Sequence, residues 1–375
     1  MLRYLTAGES HGKALVTILE GYPAGLKFDA EFINRELKRR QIGYGRGGRM
    51  TIEQDKIDLL SGTRHGVTLG SPIAMRIENK DYKIEELPVV NNPRPGHADL
   101  SGGLKYNHYD LRNILERSSA RETTSRVAVG SVCKLLLARF GIHVVSHVIQ
   151  IGSVRTKADS KMDFQKIAEI SEASPIRCLD SEAEKQMIQL IDQMKEAGDT
   201  LGGVFEVIVI GVPVGLGSCM HYDRKLDSLL GAAILSIQAV KGVEIGNGIL
   251  SASQPGSSVH DEIFYNRERG FYRDSNSSGG FEGGMTNGEP IIVRGFMKPL
   301  STLKSPMMSV NVVTKEPFKA TVERSDVCSV PSAGVIGEAV VAFELARTFL
   351  EKFGGDSLTE IRRNYEGYWK QVKEF

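Results

Sequence analysis

The spacing of glycine limits the fold of this chain more than any other feature of its sequence. The 375 residues include 40 glycines, which fall in clusters rather than at a fixed interval. Because glycine permits tight turns but weakens the interior of helices and strands, each cluster predicts a loop between regular elements. No Pro/Ser-rich linker and no repeat of solenoid length separates these loops, so residues 1–375 are predicted to form one domain. The clusters lie at 43–48, 102–103, 202–203, 211–217, 242–248 and 279–288.

The segments between the glycine clusters show both helical and strand patterns. In residues 180–197, Met187, Ile191 and Met194 recur at helical spacing, and Gly198 follows as a stop signal. Runs rich in Val and Ile and bounded by glycine instead predict strands. This mixture along the whole chain predicts a mixed α/β or α+β fold. The predicted helices span 29–41, 111–140, 180–197, 223–240, 333–353 and 357–372, and the predicted strands span 14–19, 204–212, 291–296 and 308–313.

The composition is that of an ordinary globular protein, with 41% hydrophobic residues, 25% charged residues and a formal net charge of +1. A general nucleic-acid binder would carry a broad positive field, so any positive patch here must be local. The first residues contain no apolar signal segment, and no apolar run approaches the ~20 residues that span a bilayer. The four cysteines are scattered without a CxxC pair, which favours reduced thiols over disulfides or a zinc site. We therefore expect a cytoplasmic protein that binds neither nucleic acid nor membrane and holds no metal.

One basic segment combines arginines with glycines. Arg46 and Arg49 alternate with glycines, whereas the preceding basic stretch 35–40 has the pattern of a helix end. Guanidinium forks beside an open backbone suit the close binding of an anion. The alternative is a solvated basic face that complements the helix dipole. The alternation with glycine favours the anion site.

Two histidines stand in loops where proton transfer is chemically reasonable. His97 follows Arg94-Pro95-Gly96 in a proline-stiffened loop, so the arginine would hold a phosphate while the histidine protonates its leaving oxygen. A rigid turn with exposed polar side chains explains the same residues equally well. His11 lies between small residues just before a predicted strand and is suited to titrate near neutral pH. For His11 alone, a structural role is as well supported as a catalytic one.

Two short polar stretches have a local structural explanation and a functional one. Ser119 and Glu122 have capping-box spacing, and a helix start beside Arg121 would also bind an anion. Arg324 and Asp326 would lie on the same face if their segment were a strand. Such a pair is more often a structural ion pair than a catalytic one.

A Lys/Ser/Thr turn at 298–302 follows the glycine cluster at 279–288 and an intervening strand pattern. A flexible glycine loop before such a turn suggests a phosphate-bearing cofactor. The spacing matches neither a P-loop nor a GxGxxG fingerprint, which excludes the standard nucleotide-binding motifs.

Taken in order, these segments resemble the chorismate synthase family. The likeness runs from about residue 1 to the last predicted helix near Tyr368, and so many ordered motifs do not agree by chance. Two departures are mild: Val327-Cys328 stands where family members commonly have proline or alanine, and 81–91 is a variable loop. The matching stretches are 8–12 with 20–23, 39–41, 43–49, 94–97, 116–130, 198–200, 279–288 and 324–338.

The resemblance implies a reaction, a cofactor and a fold. 5-Enolpyruvylshikimate 3-phosphate would lose phosphate and a ring hydrogen by 1,4-elimination to give chorismate, in the last common step of the shikimate pathway. Reduced FMN would be required although the reaction has no net redox change. The substrate carries two carboxylates and a phosphate, in keeping with the local positive site inferred above. The implied fold is a single domain with helices sandwiched between antiparallel β-sheets, assembled as a homotetramer.

The resemblance also implies roles for individual residues. His97 would be the general acid for the departing phosphate, His11 would protonate the reduced flavin, and Asp326 would assist transfer of the ring hydrogen to the flavin. Arg40 and Arg46 match positions that bind NADP in relatives that reduce their own flavin. The sequence leaves intrinsic NADPH-dependent reduction and an external flavin reductase both open. The substrate oxyanions would be bound by Arg40, Arg46, Arg49, Arg94, Ser119, Arg121 and Arg324, and FMN would contact Ser118, Ser119, Ala120, Gln238, Ala239, Gly283, Lys298, Pro299, Leu300, Ser301, Thr302 and Arg324.

Two rival functions use the same residues. A phosphatase or phosphotransferase would employ the arginines and His97 without a flavin, but it gives no purpose to residues 279–302. A polyanion- or RNA-binding protein would centre on residues 35–49, although near-zero net charge and a single tryptophan disfavour it.

Overall fold

The computed structural model describes residues 1–48, 52–157 and 162–375. Helices and antiparallel strands mix along this part of the chain, which confirms the predicted mixed α/β, or α+β, class. Arg49, a predicted substrate-binding residue, lies outside the described residues. Within the described ranges, no helix is long and apolar enough to cross a membrane.

Two antiparallel sheets form the outer layers. The first has four strands in the order β1-β2-β6-β3, and the second has five in the order β10-β15-β9-β7-β8. Four two-stranded hairpins extend from these sheets. The strands are β1 Arg3–Ala7, β2 Ala14–Glu20, β3 Asp58–Leu59, β4 Thr63–Arg64, β5 Val67–Thr68, β6 Ile73–Glu78, β7 His143–Ile151, β8 Val154–Arg155, β9 Gly203–Ile210, β10 Val240–Ile245, β11 Ile263–Asn266, β12 Gly270–Arg273, β13 Phe281–Glu282, β14 Met285–Thr286, β15 Ile291–Met297, β16 Met308–Val310 and β17 Pro317–Lys319.

In the described part of the chain, helices fill the space between the two sheets. The helix α4 contacts β1 and β2 of the first sheet and β7 of the second, and α9 packs on β7 and β9. Tyr4 of β1 meets Phe343 of α9 edge to face, with ring centroids 4.6 Å apart. This confirms the arrangement of helices sandwiched between antiparallel sheets. The helices are α1 Ala30–Gln41, α2 Asp99–Tyr106, α3 Arg112–Ser118, α4 Thr123–Ala138, α5 Phe164–Ala173, α6 Ser181–Ala197, α7 Leu226–Leu235, α8 Gly248–Ser251, α9 Val330–Phe353 and α10 Leu358–Glu374.

The central helices pack against each other without room for larger side chains. At the contact between α4 and α9, a Cβ added to Gly130 would lie 2.4 Å from both the Cα and the carbonyl oxygen of Ala339. A Cβ added to Gly337 would lie 2.7 Å from the ring of Phe205 on β9. Glycine at these positions therefore brings the helix backbone against its neighbours. The tight layer fixes the N-terminal ends of α4 and α9, where several predicted site residues lie.

Two of the predicted helices are too long. The segment 111–140 is not one helix, because Ser119 is extended (φ −61°, ψ 143°) and a 3₁₀ turn, Ala120–Glu122, separates α3 from α4. Ser119 Oγ accepts a hydrogen bond from the Arg121 N–H at 3.3 Å, which gives the backbone a local alternative to a continuous helix. The Glu122 carboxylate does not complete a capping box, since it accepts from Thr6 Oγ1 (3.0 Å) and Arg126 Nε (3.0 Å).

The other errors have similar local causes. The predicted helix 223–240 is α-helical only over Leu226–Leu235, after a 3₁₀ turn at Tyr222–Arg224, and the chain then turns at Ala239, which has φ +68°. The predicted strand 308–313 ends at Val310. The side chain of Asn311 accepts hydrogen bonds from the backbone N–H groups of Val313 and Thr314, which opens a turn. The helix predicted from 333 starts at Val330, since Pro331 is tolerated in a first turn.

Candidate active site

A buried carboxylate joins two arginines that are far apart in sequence. Asp55 accepts from Arg40 Nη2 at 2.9 Å and from Arg121 Nη1 at 2.5 Å. Arg40 comes from the end of α1 and Arg121 from the turn before α4, and both side chains are almost completely buried. Arg121 Nε also donates to Asn79 Oδ1 at 2.8 Å, and its Nη2 lies 3.5 Å from Glu53. The two guanidiniums are therefore held in fixed positions.

Positive charge exceeds what this carboxylate neutralises. Burial, followed by the charges of Arg121 and Arg46, lowers the pKa of the Arg40 guanidinium to about 10, despite the opposing effect of Asp55. Arg40 Nε is buried and has no hydrogen-bond partner among the described residues. Guanidiniums that repel each other in a desolvated site favour the binding of an anion.

The glycine-rich loop that carries Arg46 packs against the segment before α9. Arg46 Nη1 donates to Asp326 Oδ2 at 2.6 Å, and the Gly47 N–H donates to Asp326 Oδ1 at 2.6 Å. A Cβ at Gly47 would lie 2.9 Å from the carbonyl oxygen of Ser325, so this approach requires glycine. Ser329 Oγ also donates to Asp326 Oδ2, at 2.6 Å.

The predicted pairing of Arg324 with Asp326 is wrong. Residues 321–326 form a loop rather than a strand, so the two side chains do not share a strand face. Arg324 pairs instead with Asp81, which also receives Lys83 Nζ at 2.8 Å. Although partial burial opposes it, hydrogen bonds from Lys83 and Arg324 lower the pKa of Asp81 to about 2. The Asp81 backbone N–H lies 3.4 Å from Glu53 Oε1, which connects this pair to Arg121. We refer to Arg40, Arg46, Arg121 and Arg324 as the arginine cluster.

His11 lies beside Asp81, the carboxylate that pairs with Arg324. Its ring is largely buried, with Nδ1 3.0 and 3.1 Å from the two oxygens of Glu116, and its backbone N–H donates to Glu116 Oε2 at 2.7 Å. Its Nε2 is 3.8 Å from Asp81 Oδ2. Although burial opposes it, the hydrogen bonds of His11 hold the pKa of Glu116 below its usual value. The carboxylate of Glu116 therefore fixes the orientation of the imidazole.

A second group of polar residues forms around His97. We call residues 94–99 the His97 loop. Asp99 Oδ1 is 2.6 Å from His97 Nδ1 and 3.0 Å from Arg94 Nη2, while Asp99 Oδ2 accepts from Arg94 Nε at 2.8 Å. Arg94 Nη1 donates to Thr302 Oγ1 at 2.7 Å. Burial opposes ionisation of Asp99, but His97 and Arg94 hold its pKa well below its usual range.

Short contacts connect the His97 loop with the arginine cluster. Two residues before Arg94, the carbonyl oxygen of Asn92 accepts from the backbone N–H of Thr321 at 3.1 Å. Arg112 Nη2 donates to Glu323 at 2.7 Å, and its Nη1 is 3.6 Å from Glu116, the partner of His11. The segment that ends in Arg324 therefore lies between His97 and His11.

The turn 298–302 borders the His97 loop, as a shared site requires. Ser301 Oγ donates to the Gly96 carbonyl at 2.8 Å, and the Lys298 N–H donates to the Ala239 carbonyl at 2.9 Å. Burial, and then the charge of Lys241, lowers the pKa of Lys298. The positive φ of Ala239 is strained for a residue with a side chain, and such strain concentrates at binding sites. Pro299 and Leu300 complete the same turn, and the Leu300 carbonyl accepts from Thr200 Oγ1 at 2.8 Å.

Gln238 connects this turn to the break between α3 and α4. Gln238 Nε2 donates to Glu122 Oε2 at 3.4 Å, and Glu122 is two residues after the predicted FMN contacts Ser118, Ser119 and Ala120. Beside it lies an open cleft of about 480 Å³. The residues that line this cleft are Tyr4, Leu5, Thr6, Arg117, Glu122, Arg126 and Gln238.

Gly283 stands apart from the other predicted flavin residues. Its hairpin lies at the start of α7, where the Leu226 N–H donates to the Gly284 carbonyl at 2.8 Å. Gln238 follows the other end of that ten-residue helix, which spans about 15 Å. The structure therefore joins 238–239 directly to Lys298 and to Glu122, close in sequence to 118–120, and places Gly283 at the far end of α7.

Comparison with known proteins identifies the family. The family model for chorismate synthase matches residues 2–350. The chain belongs to the chorismate synthase family. It is 55% identical over 390 residues to a chorismate synthase from Bacillus cytotoxicus and 56% identical over 394 residues to one from Geobacter sulfurreducens, with 100% of each chain covered in both cases. A crystal structure of chorismate synthase superposes with a TM-score of 0.84 at 45% identity, covering 100% of this chain and 99% of that one.

Membership of the chorismate synthase family makes this chain an enzyme, a lyase that eliminates phosphate from a small molecule in aromatic amino-acid biosynthesis. That class differs from a phosphatase and from an RNA-binding protein, the two rival functions. The family also implies a flavin cofactor. Among the described residues, His11 and the arginine cluster are connected through Asp81, and the segment before Arg324 contacts residue 92, just before the His97 loop.

The sequence motifs do not predict the acidic partners of the site residues in this chorismate synthase fold. Asp99 lies two residues after His97, a local signal that could have found it. Glu116 was noted only as the start of a motif. Asp55 and Asp81 had no local signal, because their arginine partners lie up to 243 residues away.

Proposed function

We propose that this chain converts 5-enolpyruvylshikimate 3-phosphate into chorismate by 1,4-elimination of phosphate, in the last common step of the shikimate pathway. The observation that carries the proposal is the arginine cluster beside two carboxylate-held histidines. The substrate has two carboxylates and a phosphate, and four neighbouring arginines, two of them almost completely buried, suit such a ligand. Each desolvated guanidinium–oxyanion hydrogen bond contributes ~1.5–3 kcal/mol, so several are required for so hydrated an anion.

The substrate oxyanions would be bound by arginines that differ in how firmly they are already held. Arg40 and Arg121 share the buried Asp55 and provide a fixed positive base. Arg46 and Arg324 form more open ion pairs, in which a substrate oxyanion can replace or supplement the carboxylate. Together with these four, the proposed substrate-binding residues are Arg49, Arg94 and Ser119.

His97 would supply the proton for the leaving group. In the elimination, the departing phosphate oxygen takes the electron pair of the C–O bond, and the electrons of the broken C–H bond complete the new double bond. The imidazolium of His97 gives its proton to the phosphate oxygen while Arg94 lies beside it to hold the anion. Protons and electrons then balance without net oxidation.

The residues around 238–239 and 298–302 fit a phosphate-bearing flavin such as FMN. Lys298 and Ser301 offer a cation and a hydroxyl, and the strained Ala239 backbone packs against them. Reduced FMN, when bound, would lend an electron that assists C–O cleavage and would recover it when the ring C–H bond breaks, so that no net oxidation results. His11, oriented by Glu116, would provide a proton to keep the reduced flavin suitably charged, and Asp326 would assist removal of the ring hydrogen. The proposed FMN contacts are Ser118, Ser119, Ala120, Gln238, Ala239, Gly283, Lys298, Pro299, Leu300, Ser301, Thr302 and Arg324.

Two further proposals concern the source of reduced flavin and the oligomeric state. Arg40 and Arg46 would contact NADPH if the enzyme reduces its own flavin, and an external flavin reductase is the alternative source. We further propose a cytoplasmic homotetramer whose protomer is one catalytic domain. The single-domain proposal is supported by one main hydrophobic core, which includes buried residues of both sheets and of α1, α4 and α9.

Anaerobic turnover of 5-enolpyruvylshikimate 3-phosphate with FMN, with and without dithionite, tests the function. Chorismate and phosphate are followed together, and equal release of both is expected only with reduced FMN. Phosphate without chorismate, independent of flavin, would show a phosphatase instead. Added NADPH in place of dithionite distinguishes intrinsic flavin reduction from dependence on an external reductase.

A further inference from the structure

Asp99 receives an unusual number of hydrogen bonds for one side chain. Its Oδ2 accepts from the backbone N–H of Arg94 at 3.1 Å and from Arg94 Nε at 2.8 Å. Its Oδ1 accepts from Arg94 Nη2 at 3.0 Å and lies 2.6 Å from His97 Nδ1. The carboxylate is completely buried, whereas about a fifth of the His97 side chain is exposed. All of these donors come from the loop that carries the proposed general acid.

We infer that Asp99 is a positioning residue that fixes His97 with Nε2 as its proton-donating atom and holds Arg94 against it. The inference rests on the proposed function of His97 and extends it to a residue that does not touch the substrate. An ionised carboxylate only accepts hydrogen bonds, so His97 Nδ1 must carry its hydrogen toward Asp99. The proton that His97 gives up and regains is then the one on Nε2.

The charges around His97 show why the carboxylate is required. Arg94 Nη2 lies 3.0 Å from Nδ1 and 3.3 Å from Nε2 of the imidazole. Lys298 Nζ lies 3.8 Å from where a Cβ on Gly96 would be, so a second cation borders the loop. In the part of the chain that the structure describes, Asp99 is the carboxylate in direct contact with His97. It offsets these cations and permits an imidazolium beside a guanidinium.

An amide cannot replace this carboxylate. Asparagine has one acceptor oxygen, and four N–H donors face the two oxygens of Asp99. If its NH₂ group faced His97, it would donate to Nδ1 and oppose the imidazolium. If the NH₂ group faced Arg94, it would meet two other donors. Asp99→Asn therefore removes the fixed proton orientation while changing the side-chain volume very little.

A purely structural role is the alternative, because Asp99 is also the first residue of α2, where a carboxylate stabilises the helix. A double-mutant cycle separates the two roles. Turnover is measured with reduced FMN for the wild type, Asp99→Asn, His97→Ala and the double variant. We expect Asp99→Asn to lower kcat by ~10²-fold or more in the wild type. Because Asp99 also holds Arg94, a proposed substrate-binding residue, KM should rise as well, and by a similar factor with and without His97. In the His97→Ala background, the same substitution should change kcat by less than ~3-fold, because Asp99 acts through His97.

The pH profile provides a second readout. Without its carboxylate partner, an imidazolium beside Arg94 and Lys298 loses its proton more readily. The activity of Asp99→Asn should therefore decline at a lower pH than that of the wild type. Asp110→Asn is the matched control, since Asp110 accepts from the backbone N–H groups of Val90 (3.0 Å) and Arg112 (2.9 Å). It should keep the wild-type kcat and pH profile.

Asp99→Glu is a second variant that still tests the inference if Asp99→Asn fails to fold. It keeps the charge but moves the oxygens by one methylene, so kcat should fall less than in the amide variant and the pH profile should stay close to that of the wild type. An equal loss of kcat from Asp99→Asn with and without His97 would overturn the inference. So would an unshifted pH profile in a variant whose kcat is reduced. Unchanged turnover in His97→Ala alone would instead refute the proposed role of His97, and the inference with it.

Discussion

The arginine cluster and the His97 loop hold cations against carboxylates in different ways. The His97 loop contains its arginine, histidine and carboxylate within six residues, and the buried Asp99 binds all of them. The arginine cluster takes its members from three separate parts of the chain, residues 40–46, 121 and 324, and its carboxylates range from buried Asp55 to the more open Asp326. The His97 loop is formed by one short segment, whereas the arginine cluster forms only when the whole chain has folded.

This difference separates two demands of the proposed reaction. Proton transfer depends on the orientation of one ring, which a short stiff loop with a buried carboxylate can fix. Binding a large trianion requires positive charge on several sides, which no short segment can supply. We therefore expect substitutions in the His97 loop to affect mainly turnover and substitutions in the arginine cluster to affect stability and substrate binding.

His97→Ala should produce the largest effect and is the strongest test of this division. If His97 is the general acid, turnover should fall by ~10²–10⁴-fold. FMN affinity, measured by fluorescence titration, should change little because the ring belongs to the proton-transfer loop. A loss of FMN binding equal to the loss of turnover would show that the loop is part of the flavin site and would remove the distinction.

Arg121→Ala should have the next largest effect, on folding. It leaves the buried Asp55 with Arg40 as its remaining guanidinium partner and removes the charge beside Glu53. Breaking a buried ion pair from one side costs ~3–5 kcal/mol. Urea unfolding should show that loss in the free energy of unfolding. A change below ~1 kcal/mol would mean that Arg121 is not part of a fixed base.

Arg324→Ala should affect binding more than folding, since the Arg324 side chain is half exposed. Exposed ion pairs contribute ~0–1 kcal/mol to stability, so urea unfolding should change little. Loss of one guanidinium–oxyanion contact should raise the substrate dissociation constant by ~10–100-fold. If stability fell as far as in Arg121→Ala while substrate affinity stayed the same, the proposed difference between the two arginines would be wrong.

The smallest predicted effect concerns acid stability. The folded-state pKa of Asp81, about 2, lies below its ordinary value of 3.8. Its ionised carboxylate therefore adds its full contribution to the free energy of unfolding above pH 3.8, and this contribution is lost as the pH falls toward 2. The contribution should be ~1 kcal/mol or less, because its partner Arg324 is half exposed. Between pH 5 and pH 3, the wild type should lose more unfolding free energy than Asp81→Asn. Equal losses would show that the Asp81–Arg324 pair does not stabilise the fold.

The local parts of this molecule were readable from the sequence, and the non-local parts were not. The helix α6 was predicted because its apolar residues recur at the helical period and Gly198 ends it. Strand β7 was missed because buried polar residues interrupt its pattern. Ser146 and His147 are accommodated only by Glu338 and Glu206, which lie 192 and 59 residues away.

The same principle applies to the candidate site. Arg46 and His97 could be singled out from their glycine and proline neighbours, but their carboxylate partners could not be assigned. The break at Ser119 was a different kind of error, since the local signal was present. The helical pattern of 111–140 predicts one helix, but the side chain of Ser119 bonds to nearby backbone and interrupts it.

The close contact of Gly130 with Ala339 has a consequence for mutational tolerance. Gly130 lies about 10 Å along α4 from its first residue, and Ala339 lies about 13 Å along α9 from its own. Even a methyl group at Gly130 would force these helices apart, and their N-terminal ends lie beside Arg121 and Asp326 respectively. A variant at this buried crossing can therefore impair catalysis without altering any residue that touches the substrate. A sequence that keeps all the family motifs can therefore still lack an intact site.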